Sequence, residues 1–245
     1  CLVGSEMCIR DRVYTMTTPN DSLDFYPTPD SLAFDMVFSL REVKSGFTTY
    51  PKPILEPSAG DGALARQIHA LAFNVHHDYK TGEVDYYDKE KARSAEFDCI
   101  ELSSDFRAVL KKDGFRVVHD NFLTFRPTTK YAAIVMNPPF SAGAAHLLKA
   151  LDVMQDGGKI RCLLNAETLR NPCTNERKEL AARLEALHAT VKYYPDAFKN
   201  ARRAARVEVA LVSVDIPDRE PVSRIRLDPV SYTHLRAHET GRNLV

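Results

Sequence analysis

The sequence predicts an α/β protein built on a doubly wound, mostly parallel sheet of seven strands. Three observations carry that expectation. Short apolar, partly β-branched runs alternate with segments whose apolar residues recur at helical spacing, the order of parallel strands joined by helical crossovers. The first run, Pro53 to Glu56, leads into a turn of small residues and then a helix. The fourth, Tyr131 to Met136, halts at Asn137-Pro138-Pro139-Phe140, where two prolines without N–H groups and with fixed φ end any strand.

The two ends of the chain stand apart from this pattern. Met7-Cys8-Ile9-Arg10-Asp11 is what ATG-TGT-ATA-AGA-GAC encodes, and the reverse complement of that DNA encodes Val-Ser-Tyr-Thr-His, the order of residues 230–234. Both ends read as one short DNA element translated from opposite strands, similar to the transposon end used in sequencing libraries. Residues 1–12 and 230–245 are therefore expected to be adapter artefacts and are set aside. Met16 is the expected start, and the natural C-terminus is expected to be missing. Residues 13–229 are then enough for one sizeable α/β domain, or for a domain plus a fragment of a second.

The composition is ordinary for a globular chain, with 44% hydrophobic and 27% charged residues. The two ends carry four basic and three acidic residues, so 29 Lys+Arg stand against 30 Asp+Glu in the remainder, net −1. Any contact with nucleic acid must then be local. No apolar run approaches a membrane span and nothing after Met16 has the form of a secretory signal, so the expected location is the cytoplasm. Cys99, Cys162 and Cys173 are odd in number and widely spaced, which favours reduced thiols over a disulfide framework or a zinc site.

Taken in order, Asp24-Phe25-Tyr26-Pro27-Thr28-Pro29 opens the ordered part. Thr28 is expected to N-cap a helix with Pro29 at its first position, followed by apolar Leu32, Phe34, Met36, Val37 and Leu40. Glu56-Pro57-Ser58-Ala59-Gly60-Asp61-Gly62 links the first strand to a helix through Ala65, Ile68 and Leu71. Gly60 and Gly62 permit positive φ and close approach of a ligand to the backbone, and the helix start supplies free N–H groups. This is neither a dinucleotide fingerprint nor a P-loop. Residues 74–95 read as an inserted hairpin or loop, and His76-His77 has no ligand-spaced partner, so no metal site is expected. Phe97 to Leu102 is the second strand, with Glu101 at its end. Ser103 to Lys112 is helical. Phe115 to His119 is the third strand, ending at Asp120-Asn121-Phe122. A helix over 144–154 precedes a fifth strand at 159–164. A helix over 181–188, a short strand at 191–194 and a strong one at 207–214 complete the pattern.

With these pieces placed, the chain resembles the class I S-adenosylmethionine-dependent methyltransferases, and among them the DNA methyltransferases, including phage-borne ones, that modify N6 of adenine. The match rests on Tyr26-Pro27-Thr28-Pro29, the Glu56–Gly62 loop, Glu101, Asp120-Asn121-Phe122 and Asn137-Pro138-Pro139-Phe140. Their order matches the family's gamma arrangement, in which target recognition follows the catalytic domain. The resemblance implies a Rossmann-like methyltransferase fold, a catalytic domain over 13–229, S-adenosylmethionine as cofactor, DNA as partner, and a site in the cytoplasm of a bacterial or phage-infected cell. It implies that Glu56, Gly60 and Gly62 shape the cofactor's methionine pocket, that Thr28 lies near the methionine carboxylate, and that Tyr26 and Ser58 also bind the cofactor. Glu101 would bind the ribose, Asp120 or Asn121 the adenine amino group, and Phe122 the adenine ring. The family carries an acidic residue directly before this Phe, where the chain has Asn121.

The chemistry follows from the residue types. An exocyclic amino group on a purine is a poor nucleophile because its lone pair is delocalised. Acceptance of its N–H groups by the Asn137 side-chain oxygen and the Pro138 carbonyl would draw the nitrogen towards sp³ and aim the lone pair at the methyl group. Pro139 stiffens the turn, and Phe140 would stack on a flipped base. Lys199, Arg202, Arg203 and Arg206 form a basic cluster that can contact phosphate or simply face solvent. Pro172-Cys173 has the look of a cytosine methyltransferase nucleophile but lies after the wrong strand. Two alternatives stay open: a methyltransferase acting on rRNA bases or a protein glutamine, and a non-catalytic nucleic-acid-binding fragment.

Overall fold

The structure, a computed structural model, describes residues 26–44, 46–73, 76–77, 84–85, 96–198 and 207–218. Helix α1 (Asp30–Phe38) is followed by a hairpin of β1 (Glu42–Lys44) and β2 (Phe47–Thr49) that the sequence pattern did not predict. Then come β3 (Ile54–Glu56) and α2 (Ala63–Ala72), and within the 74–95 insert a hairpin of β4 (His76–His77) and β5 (Val84–Asp85). β6 (Phe97–Ile100), α3 (Ser104–Lys112) and β7 (Val117–His119) lead to β8 (Tyr131–Met136). A 3₁₀ turn over Phe140–Ala142 opens directly into α4 (Gly143–Val153). β9 (Met154–Asn165), α5 (Ala166–Arg170), α6 (Asn175–Ala186), β10 (Thr190–Tyr194) and β11 (Val209–Asp215) complete the chain.

Seven strands form one sheet in the order β10-β11-β9-β8-β3-β6-β7. β9, β8, β3, β6 and β7 run parallel, whereas β11 is antiparallel to both its neighbours. The predicted seven-stranded, mostly parallel, doubly wound sheet is therefore observed. The order reverses between β3 and β8, which is where open sheets of this kind bind ligands. All six residues of β8 are buried, as a central parallel strand covered on both faces requires. One face packs under α1, α2 and α3 through Met36, Leu64, Ile68 and Leu110. The other packs under α4 and α6 through Leu147, Leu151, Leu180 and Leu184.

Several boundaries differ from the sequence expectation. β9 begins at Met154 rather than 159, and its pairing with β8 shifts register between Tyr131 and Ala133. Gly157 takes φ +74 there, a conformation open to glycine. α6 begins at Asn175, where the Thr174 hydroxyl accepts the Arg177 N–H. The capping role expected of Thr28 is not observed. Pro29 occupies the cap position of α1, with ψ 140° and no side-chain cap bond, because the Thr28 hydroxyl is turned to a residue more than 100 positions away.

Candidate functional site

The parallel strands carry the singled-out residues to one edge of the sheet. β3 delivers Glu56 to Gly60, β6 delivers Glu101, β7 delivers Asp120 to Phe122, and β8 delivers Asn137 to Phe140. With Tyr26 and Thr28 they line one cleft of about 360 Å³, a size suited to a small organic ligand. Gly62 is not among the lining residues. It caps α2 at φ +83, where a Cβ would lie 3.1 Å from side-chain atoms of Arg66 and Leu110, so its contribution is conformational. Lys199, Arg202, Arg203 and Arg206 lie outside the described residues.

The loop after β3 is held by backbone and carboxylate together. The Ala59 N–H donates to the Ile100 carbonyl at 3.0 Å and the Gly62 N–H to the Ala59 carbonyl at 2.8 Å. Glu101 accepts the Gly60 N–H at 2.7 Å on one oxygen and the Ser103 N–H at 2.7 Å on the other. It thereby ties the glycine turn to the start of α3. Each carboxylate oxygen has a second lone pair, so Glu101 can still receive a hydroxyl from the cleft.

Glu56 is 1% exposed, and its Oε2 has no partner among the described residues. Burial holds its carboxyl well above the usual carboxylate range, with Arg66 opposing and Asp61 and Glu101 adding to the effect. A buried acceptor without a donor is costly, and here the group lines the cleft.

Asn137 has the same character. Its Nδ2 donates to the Tyr26 carbonyl at 2.8 Å and to the Thr28 hydroxyl at 3.1 Å. A carbonyl only accepts, which fixes the orientation of the amide. Its Oδ1 is buried with no partner among the described residues. Both N–H groups are thus used in holding the side chain, and one acceptor is left over in a residue that lines the cleft. Phe140 stacks on Tyr26 with ring centroids 5.2 Å apart, and Phe198 meets both rings edge-on at 5.9 Å. One side of Phe140 is therefore occupied by Tyr26.

Beyond β7, Asn121 Oδ1 accepts the Leu123 N–H at 3.0 Å in a tight turn. Asp120 lies on the cleft with its carboxylate more than half exposed, 3.2 Å from His119 Nδ1. Phe122 is 2% exposed and packs between the sheet and α4.

Two residues of this region went unnoticed in the sequence. His146 lines the cleft from α4, and a lone polar residue in the small, apolar segment Gly143-Ala144-Ala145-His146-Leu147-Leu148 was the available signal. Phe198 is fully buried against Tyr26 and Phe140, and its place immediately before the basic cluster was the signal. Cys173 is exposed and does not line the cleft, while Cys99 and Cys162 are buried within the sheet, where burial pushes both thiols up. Among the described residues, no three His, Cys, Asp or Glu side chains group as a metal site, and no helix is long and apolar enough to cross a membrane.

No family model matches the chain, and no curated protein matches its sequence. Solved structures do match. A provisionally named RNA methyltransferase from Pyrococcus horikoshii is similar over 88% of this chain and 97% of its own, at 17% identity and a TM-score of 0.51. The modification subunit of a provisionally named type I restriction enzyme from Vibrio vulnificus is similar over 87% of this chain at 14% identity and a TM-score of 0.57. A type I restriction-modification methyltransferase subunit from Streptococcus thermophilus is similar over 86% at 17% identity and a TM-score of 0.56. The chain spans about half the length of these two subunits, 48% of each. Strand order, the single reversed strand and these likenesses agree: the chain has the Rossmann-like methyltransferase fold.

Proposed function

We propose that this chain binds S-adenosylmethionine and methylates the exocyclic N6 amino group of an adenine flipped out of DNA. The observation that carries this reading is the Asn137 amide, with both N–H groups committed to Tyr26 and Thr28 and a buried oxygen left without a donor among the described residues. Such an acceptor lacks a donor, and the N–H of a planar amino group is one that suits it.

The cleft fits the cofactor. Gly60, with φ +52, brings backbone close to the methionine end, and Glu56 brings there a carboxyl whose Oε2 has no partner among the described residues. Glu101 retains lone pairs for ribose hydroxyls. Phe122 offers an apolar surface to the adenine ring, and Asp120 or Asn121 takes its amino group. When bound, the cofactor supplies an electrophilic methyl group on a sulfonium.

The chain's own residues position the acceptor. Asn137 Oδ1 and the Pro138 carbonyl accept the two N–H groups of the target amine and localise its lone pair for direct in-line transfer. Tyr26 and Thr28 keep the Asn137 oxygen in place. Pro138-Pro139 fixes the direction of the carbonyl. Flipping the base costs a few kcal/mol, and stacking beside the Tyr26–Phe140 pair returns about 1–3 kcal/mol. Lys199, Arg202, Arg203 and Arg206 follow Phe198 in the chain and would meet the phosphates flanking that base.

DNA as the acceptor rests on the motif wording of Tyr26-Pro27-Thr28-Pro29 and of Glu56 to Gly60. Likeness to a provisionally named RNA methyltransferase favours a second reading in which the amino group belongs to an RNA base. Transfer of labelled methyl groups to DNA, RNA and protein separates the two. Label on N6 of adenine in DNA is the expected result. Label on RNA or protein alone would overturn the DNA reading, and cofactor binding without transfer to any acceptor would leave a non-catalytic fragment.

A further inference from the structure

We infer that Nε2 of His146 accepts a hydrogen bond from the exocyclic amino group of the cofactor's adenine, so that His146 selects a 6-amino purine over a 6-oxo purine. The inference rests on the cofactor reading above and adds a specificity residue to it.

The tautomer follows from geometry. His146 Nδ1 lies 2.9 Å from the Ala142 carbonyl oxygen, one helical turn back on α4. A carbonyl only accepts, so the proton sits on Nδ1 and the lone pair on Nε2. The residue is 8% exposed and lines the cleft, and Nε2 has no partner among the described residues. It is a fixed acceptor that none of the described residues satisfies. Burial also pushes its pKa down, which keeps Nε2 unprotonated near neutral pH.

The neighbours identify the donor. The His146 ring centroid is 5.8 Å from that of Phe122. Leu102, Phe106 and Leu123 line the same cleft. These are surfaces for the face of a flat, weakly polar ring. Sheet order sets the rest. Glu101 follows β6 and Phe122 follows β7, the adjacent strand. A nucleoside whose ribose meets Glu101 therefore extends its base past Phe122 and towards His146. The 6-amino group of adenine has two N–H donors. One can meet Nε2 while the other meets Asp120 or Asn121. A 6-oxo purine would instead set a carbonyl oxygen against the Nε2 lone pair.

The test is binding, read by calorimetry on the full chain with S-adenosylhomocysteine and its 6-oxo analogue S-inosylhomocysteine. Wild type is expected to prefer the adenine compound. His146→Leu should weaken S-adenosylhomocysteine about threefold to tenfold, the worth of one hydrogen bond, and narrow the preference by a similar factor. His146→Gln, which keeps an acceptor, should retain most of both. Unchanged affinity and preference in a folded His146→Leu would overturn the role of His146 and leave the cofactor reading intact. Absence of binding by wild type would overturn the cofactor reading and this inference with it. Should His146→Leu fail to fold, wild type labelled with ¹⁵N-histidine decides. The Nε2 resonance must move on addition of S-adenosylhomocysteine, and an unmoved resonance on a saturated protein overturns the assignment.

Discussion

The two ends of β8 treat their polar groups in opposite ways. At the amino end, the Tyr131 hydroxyl donates to Asp98 at 2.8 Å, and Asp98 also receives the Arg116 guanidinium at 2.5 Å. Both Tyr131 and Asp98 are at most 5% exposed, and each has its partner. The phenol is pushed well above its usual range, first by burial and then by its hydrogen bond to Asp98. At the carboxyl end, Asn137 Oδ1 and the neighbouring Glu56 Oε2 are equally buried and have no partner among the described residues. A buried acceptor left open costs about 1–3 kcal/mol. A fold that completes its polar pairs at one edge of a sheet and leaves them open at the other is prepared for a ligand at the second edge. The stability of this domain and its proposed chemistry are thus separated along one strand of six residues.

Substitutions at the two ends should fail in different ways. The largest effect is expected at Asn137. Asn137→Ala should lower methyl transfer by about 10²–10³-fold, the usual loss of a positioned polar group acting on the transition state. Binding of S-adenosylhomocysteine by calorimetry should stay within about threefold, less than one hydrogen bond's worth. Equal losses in binding and transfer would erase the proposed division of labour.

Tyr131→Phe should do the reverse. It leaves Asp98 short of a donor and should destabilise the domain by about 1–3 kcal/mol in urea titration. Cofactor binding, measured well below the new unfolding midpoint, should not change.

Glu56→Gln should change stability with pH. Because the folded-state pKa of Glu56 is raised, the folded chain keeps a proton that the unfolded chain releases near its ordinary value of 4.5. The folded state therefore loses ground as pH rises above that value. The Gln variant removes the penalty, and the ligand-free protein should gain about 1–3 kcal/mol at about pH 8 and little at about pH 4. Parallel stability profiles for the two proteins across that range would contradict an unpartnered, protonated Glu56.

The smallest effect is expected at Thr28. Thr28→Val keeps the shape and removes one of two acceptors for the Asn137 amide. Transfer should fall about threefold to tenfold and stability by about 0.5–1.5 kcal/mol, the net worth of one hydrogen bond, as the Tyr26 carbonyl still holds the other N–H. A loss as large as that of Asn137→Ala would mean that the hydroxyl touches substrate itself.

Much of the architecture was legible because it depends on local pattern. The run 131–136 is apolar and ends at two prolines, and the strand observed there has those bounds. Gly60 and Gly62 take the positive φ that a turn between strand and helix requires. The boundaries that moved had weaker local signals. Arg177, Lys178 and Glu179 hide the first turns of α6 because a solvated helix face looks like a loop. The β1–β2 hairpin carries exposed Val43 and Phe47, so its residues do not alternate as a half-buried strand should.

By itself, the sequence determined which side chains stand at the ends of the parallel strands. Strand, stop and turn are each written in a few adjacent residues, and parallel topology then brings those ends to one edge. Only the tertiary structure decided what each side chain does there. Thr28 looked like a helix cap, and its hydroxyl instead receives an amide N–H 109 residues away. Glu101 looked free for a ribose, and it also clamps the glycine turn across 41 residues. His146 was only a lone polar residue in an apolar segment until α4 set it beside Phe122. A hydrogen bond between distant residues is chosen by packing, and local spacing holds no record of it. Asn137 spans both cases. Its place at the end of β8 was readable from the chain, and its oxygen, unpartnered among the described residues, became visible only when Tyr26 and Thr28 were seen to hold both of its N–H groups.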